Sequence, residues 1–242
     1  MNQVNEMNTI KVLDKGFVSL LNISGPVRRP DKQFDASSID PAISARISFG
    51  NFNTDSNNGR TREQDLKLVK YLIENNHSSP IEMIEIWLEM KLPIFVARQF
   101  ARHRTATINE ISGRYVRLPE EWYIPGVVGA KSADKKQGQD NSLDEAAQDW
   151  FKYVLNKQCY DSYLLYKMAL STNVAPEHAR LLLHGNHYTH WVLKQDLHNM
   201  IHFLKLRLHK HAQVEAREYA SAILELLRGA IPDIMEIAFP DE

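Results

Sequence analysis

The stretch Ile84-Glu85-Ile86-Trp87-Leu88-Glu89-Met90-Lys91-Leu92-Pro93 decides the fold class. Side chains of a strand point alternately to opposite faces. Ile84, Ile86, Leu88, Met90 and Leu92 therefore form one apolar row, and Glu85, Trp87, Glu89 and Lys91 a mostly polar one. That alternation predicts a strand in a sheet covered on one side. Pro93 ends the strand and can open a helix, which the sequence carries from Ile94 to about Arg104. Val96 and Phe100 share one face of this helix as i, i+4 neighbours, and Gln99 and His103 share another.

Upstream, residues 1–9 are polar and are expected to fray. Ile10 to Ile23 reads as two short strands about an Asp14-Lys15-Gly16 turn. A loop is expected over 24–38. Asp40 as N-cap and Pro41 at the first helical position are expected to start a helix that ends near Gly50. Another loop covers 51–60. Thr61 and Gln64 form a capping box, with Leu66, Val69 and Ile73 marking a helical face to about Asn75. His77-Ser78-Ser79-Pro80 then breaks the chain.

Downstream, a short strand is expected at 114–118 and a mobile surface loop at 125–142, where Gly, Lys and small polar residues gather. A long helix over 143–170 should bury Ala147, Trp150, Val154, Leu164, Leu165 and Met168. A further helix runs from Pro176 to Gly185, and a strand over 188–194 places Trp191 and Val192 on opposite faces. Leu197, Met200, Ile201, Leu204 and Leu208 form a helical stripe, and a last helix spans about 212–229 until Pro232 stops it.

Together these elements predict an α+β fold. One domain over 1–242 holds a small, mostly antiparallel sheet packed against several helices, including long C-terminal ones. No Gly-x-Gly-x-x-Gly follows a strand, which argues against a Rossmann dinucleotide site.

Composition narrows the function. Hydrophobic residues make up 43% and the formal net charge is −1, so neither a membrane nor a nucleic acid would be held by bulk charge. The polar N-terminus has no apolar core of a signal peptide, and no run reaches the ~18 apolar residues of a membrane span. The single cysteine, Cys159, excludes an intrachain disulfide and reads as a core residue in a reducing, cytoplasmic setting.

Two clusters could carry chemistry. Arg102 to Tyr115 holds three arginines, a histidine, a carboxylate and several hydroxyls in fourteen residues. Arginine matches carboxylate or phosphate bidentately, and unpaired buried charge is costly. Glu110 could neutralise one arginine, and the surplus calls for an external anion. Ser112-Gly113 adds a hydroxyl and a close-approach backbone. The second cluster runs from Asp196 through His198 and His202 to Arg207. At ~100° per residue, Asp196 and Arg207 align, with the two histidines nearly opposite, so this helix would be polar on two sides. His198-x-x-x-His202 has zinc spacing, but no His-Glu-x-x-His accompanies it, and the expectation is no metal site. A histidine-rich metal hydrolase and a non-catalytic nucleotide or RNA binder are the competing readings.

The residues resemble the flavin-dependent thymidylate synthases. That family is marked by Arg-His-Arg, seven residues, then Ser. Here Arg102-His103-Arg104, the seven residues Thr105 to Ile111, and Ser112 match. His77-Ser78-Ser79-Pro80-Ile81-Glu82 is similar to the family's His-x-x-Pro-x-Glu, and Asp196-Leu197-His198-Asn199, His202, Arg207 and His211-Ala212-Gln213 to its C-terminal helix. The resemblance implies methylation of dUMP at uracil C5 to dTMP. Methylenetetrahydrofolate would supply the carbon, and FAD, reduced by NADPH, the hydride. It implies that Arg207 contacts the uracil as the catalytic group. Gln99, Arg102, Glu110, Ile111, Ser112, Gly113, Arg114, Arg180 and Arg207 would hold the nucleotide. Ser79, Arg102, His103, Arg104, Thr105, Glu110, Asp196, Leu197, His198 and His202 would hold flavin, and His77 and Glu82 would line the site. It further implies a homotetramer with sites shared between subunits.

Overall fold

The structure is a computed structural model that describes residues 8–27, 36–50, 60–132 and 139–241. The expected fraying at 1–9 and the loops at 24–38, 51–60 and 125–142 fall partly outside these residues. Five antiparallel strands form the main sheet: β1 (Thr9–Val12), β2 (Gly16–Ser24), β3 (Glu85–Pro93), β4 (Thr107–Glu110) and β7 (Tyr188–Asp196). Their order is β1-β2-β3-β7-β4. The strand read first, β3, lies at the centre, pairing Phe17 to Ser24 with Lys91 to Glu85 on one side and Glu85–Pro93 with Asp196–Tyr188 on the other.

The period-2 expectation holds. Ile86, Leu88, Met90 and Leu92 are fully buried, while Glu85, Trp87, Glu89 and Lys91 are half-exposed. Burying one such aliphatic side chain contributes roughly 1.5–3 kcal/mol. α7 (Leu197–Leu208) and α8 (Val214–Ala230) cover the apolar face, and Leu197, Met200, Ile201 and Leu204 make the expected stripe. The open face carries cross-strand polar pairs instead: His190 with Glu89 at 2.7 Å, and Lys194 with Glu85 at 3.0 Å.

Local signals place the other helices. α1 (Asp40–Arg46) has Pro41 in its first turn and continues as a 3-10 turn to Gly50, whose φ of 74° ends it. Its N-cap is Ile39 rather than Asp40, and the Asp40 carboxylate accepts from the Ser37 amide. α2 (Arg62–Glu74) starts at the expected Thr61–Gln64 capping box. It buries Asp65, which pairs with Arg46 of α1, beside Val69 and Leu72. α3 (Ser79–Glu82) follows the break at His77. α4 (Ile94–Phe100) is shorter than expected, and the chain turns through residues 101–105 before entering β4.

Several expectations are corrected. Residues 114–118 form no strand: Ser112 Oγ accepts from the Arg114 amide and the chain turns there, while the strand of this region is β4, inside the arginine-rich stretch. The expected loop at 125–142 contains a hairpin, β5 (Gly129–Lys131) with β6 (Gln139–Ser142). α5 (Glu145–Ser171) has the expected length but the opposite orientation. Cys159, Ser162, Tyr163 and Tyr166 face the protein, packing with Trp122 and Ala179, the latter in α6 (Pro176–Ala179). Trp150, Tyr153, Leu165 and Met168 are 66%, 69%, 51% and 60% exposed. α8 is not the last helix, because Pro232 starts a further short one, α9 (Pro232–Ala238). Among the described residues no helix is long and apolar enough to cross a membrane.

Candidate functional site

The chain from β3 to β4 builds one wall of a cleft of about 820 Å³. α4 and the turn after it contribute Arg98, Gln99, Arg102, His103, Arg104 and Thr105, and α7 contributes Asn199, His202, Leu206 and Arg207. The local reason is a change of element. Phe100 is buried against Phe203 with ring centroids 4.8 Å apart, which pins the end of α4 to α7. The polar residues after Phe100 are then left at the rim. Thr105 Oγ1 accepts from Gln195 Nε2 at 2.9 Å, tying the turn to β7 before β4 begins.

Among the described residues, four arginines line this cleft and no carboxylate does. Among the described residues, Arg98, Arg102 and Arg104 have no acidic partner within salt-bridge distance. The expected neutralising role of Glu110 is corrected: its carboxylate accepts from Thr189 Oγ1 on the adjacent strand. Arg207 is held by protein groups, donating through Nε and Nη2 to His103 Nε2 and through Nη2 to the Gln99 carbonyl. Burial, then the Arg207 and His202 charges, push His103 down to about 4, so the imidazole is neutral near pH 7.

The cleft continues past Gln99 and Arg207 into a second hollow of about 580 Å³ lined by Lys210, His211, Gln213, Glu215 and Arg217, among others. Gln99 Nε2 donates to Gln213 Oε1 at 2.6 Å on the wall between them. The positive lining makes the pair of hollows suited to an anionic ligand with more than one charged group.

The other expected site residues lie elsewhere. β4 carries the chain roughly 15–20 Å from Thr105 to Ile111, at ~3.3 Å per residue. Ser112, Gly113, Arg114 and Arg180 therefore gather at the far end of β4 and do not line the cleft. Gly113 is buried against Leu118 and Arg180, where a Cβ would approach the Leu118 side chain to 3.1 Å. Arg114 pairs with Glu177 at 3.2 Å. Ile111 donates its amide to His190 O.

Asp196 caps α7, accepting from the Asn199 amide at 2.9 Å and from its side chain at 2.8 Å. Its extended backbone lies outside the helix, so the alignment with Arg207 expected from helical periodicity does not exist. Leu197 is fully buried, and His198 is half-exposed outside the cleft lining. His202 and Arg207 flank the same cleft instead of serving opposite sides of the helix. Ser79 and Glu82 are exposed on α3, and the His77 ring meets Tyr71 edge-on. Among the described residues, no three His, Cys, Asp or Glu side chains come together to hold a metal.

Sequence reasoning missed Arg98, Asn199 and Leu206 in the lining. Arg98 precedes Arg102 by one turn, and Asn199, His202 and Leu206 follow an i, i+3, i+7 spacing. Both signals are readable once His202 is placed in a site.

The family model described as thymidylate synthase complementing protein matches residues 35–233. A flavin-dependent thymidylate synthase of Thermus thermophilus is 43% identical over 225 residues, covering 93% of this chain and 76% of that protein. One from Ehrlichia ruminantium (strain Gardel) is 41% identical over 224 residues, covering 92% and 70%. A crystal structure of a UMP/dUMP methylase from Streptomyces cacaoi, bound with 5-Br dUMP, superposes with a TM-score of 0.81. It covers 96% of this chain and 97% of that one at 23% identity, a likeness of fold.

Proposed function

The chain belongs to the flavin-dependent thymidylate synthase family, and on that premise we propose that it methylates dUMP to dTMP. Methylenetetrahydrofolate is the carbon donor in this reading, FAD the bound flavin and NADPH its reductant. The observation that carries the reading within the site is a cleft lined, among the described residues, by four arginine side chains and no carboxylate. Such a lining suits a pyrophosphate-bearing cofactor beside a nucleotide monophosphate, because each phosphate offers oxygens to planar guanidinium donors.

The roles divide by position. Arg102, His103, Arg104, Thr105 and His202 hold the flavin, which supplies the hydride when reduced. Gln99, Arg102 and Arg207 orient the nucleotide. The Arg207 cation favours an anionic uracil, since a fixed positive charge beside a developing anion lowers its energy. Ser112, Gly113, Arg114 and Arg180 form a second anion grip. Because they sit at the far end of β4, a site that uses both groups takes them from different subunits. A homo-oligomer, of four subunits in this family reading, supplies that geometry, and Ser79, His77 and Glu82 reach a site in the same way. The outward apolar stripe of α5 supports assembly. The reduced, buried Cys159 suits a cytoplasmic setting.

An absorption spectrum of the purified protein, with a tritium-release assay on 5-tritiated dUMP, tests the reading. The protein should show flavin bands, and release should require both NADPH and methylenetetrahydrofolate. A colourless protein that also binds no added FAD would overturn it.

A further inference from the structure

Arg207 is more constrained than an arginine at a cleft rim needs to be. Its Nε donates to His103 Nε2 at 3.1 Å, and Nη2 reaches the same nitrogen at 3.0 Å and the Gln99 carbonyl at 3.2 Å. A guanidinium carries donors only, so His103 Nε2 must be the acceptor and bear no proton. The ring proton then sits on Nδ1. These bonds occupy the Nε/Nη2 edge of the fork and leave the Nη1 amino group without a partner among the described residues. We propose that His103 is a positioning residue for Arg207: its unprotonated Nε2, with the Gln99 carbonyl, fixes one edge of the guanidinium and leaves Nη1 for the ligand.

The surroundings favour this arrangement. The His103 ring is held edge-on by Phe203, with centroids 4.9 Å apart, and Phe203 is itself braced by Phe100. From α4 and its following turn, Arg98, Arg102 and Arg104 share the cleft with the ring; from α7, His202 and Arg207 do. Among the described residues, no carboxylate lines the cleft to stabilise an imidazolium. His103 accordingly stays neutral near pH 7, its titration pushed down to about 4 by burial, then by Arg207 and His202.

A neutral partner has a consequence that a carboxylate would not. Arginine side chains at active sites are commonly oriented by Asp or Glu, whose charge offsets part of their own. An imidazole acceptor orients the fork while leaving its full positive charge for the ligand. The segment Arg102-His103-Arg104 therefore does more than bind an anion: its central residue aims a cation that comes from α7. That Nη1 meets the nucleotide rests on the function proposed above; that His103 aims Arg207 does not.

Two variants separate the outcomes. His103→Leu removes the acceptor, and His103→Gln keeps an acceptor oxygen near the position of Nε2. In the ligand-free protein, the ¹⁵Nε–H resonance of Arg207, assigned by its loss in Arg207→Lys, should be sharp and slow to exchange. His103→Leu should broaden it and His103→Gln restore it. Calorimetry should show dUMP binding about tenfold weaker in His103→Leu, the scale of one lost charge-assisted hydrogen bond. His103→Gln should recover most of that loss. An Arg207 resonance indifferent to His103→Leu, or a His103→Gln variant no better than His103→Leu, overturns the inference. A wild-type protein that binds neither flavin nor dUMP overturns the function instead, and the resonance still reports on the clamp.

Discussion

At the scale of single residues, Arg207 is where the proposed chemistry is most open to one substitution. It joins α7 to the turn after α4 and borders both hollows. Arg207→Ala should lower kcat on the order of 10²–10³, the usual cost of removing one donor aimed at developing charge. Bound flavin and the melting temperature should stay near wild type, and tritium release at saturating dUMP measures the effect. Normal kcat would remove Arg207 from its role. The arginine-rich stretch was legible as a dense cluster of guanidinium donors, because three arginines fall within fourteen residues. Its pairings were not legible. Glu110 bonds Thr189 across the sheet, and Arg114 finds Glu177 in α6. Both partners lie far away in sequence, where local chemistry has no reach. Asp196 shows the converse. Its cap to Asn199 follows a three-residue spacing that sequence displays, yet helical periodicity would equally well align it with Arg207.

Among the elements, β3, α2 and α7 were readable because period, capping box and stripe each recur within a few residues. α5 was read correctly for length and incorrectly for orientation. Trp150, Tyr153, Leu165 and Met168 fall within roughly 120° of arc at ~100° per residue, so the stripe is real. What periodicity cannot say is which body the stripe faces. In the chain itself, α5 touches α6 and the loop at Trp122 through Cys159, Tyr163 and Tyr166, and the wider apolar stripe looks outward. Exposed stripes of this size mark interfaces. A Trp150→Glu/Leu165→Glu double variant should sediment as a smaller species than wild type, with an unchanged far-ultraviolet dichroism spectrum. A wild-type chain that is already monomeric, or a variant with unaltered mass, would count against assembly through α5.

For the whole molecule, buried histidines tie stability to pH. His187 is 1% exposed, between the Trp122 and Tyr163 rings, and burial pushes it down to about 4. His103 moves the same way. An unfolded chain protonates these rings near 6.5, before the folded one does, so it binds more protons between that value and about 4. Their contribution to stability is therefore complete above pH 6.5 and is lost as pH falls towards 4. Urea unfolding at about pH 7 and about pH 4.5 should differ by a few kcal/mol, with fully buried His187 giving the larger share because His103 is partly screened by solvent. His187→Phe should flatten that dependence; equal slopes in the two proteins would exclude His187 as its source.

Short-range pattern was enough to establish the α+β class, the central strand with its one covered face, the capped α2, the apolar stripe of α7 and the density of cationic side chains at Arg102–Arg104. All of these arise from interactions between residues a few positions apart, where backbone geometry dictates which side chains share a face. Folding in three dimensions was needed to insert β7 between β3 and β4, to turn the larger apolar stripe of α5 outward, and to rest Arg207 on His103 across 104 positions. It also set β4 between Arg102–Thr105 and Ser112–Arg114, which divides the expected nucleotide site between two places on one chain. Those outcomes depend on which distant surfaces bury the most area and satisfy the most polar groups together, a comparison made over the folded molecule and not along the chain.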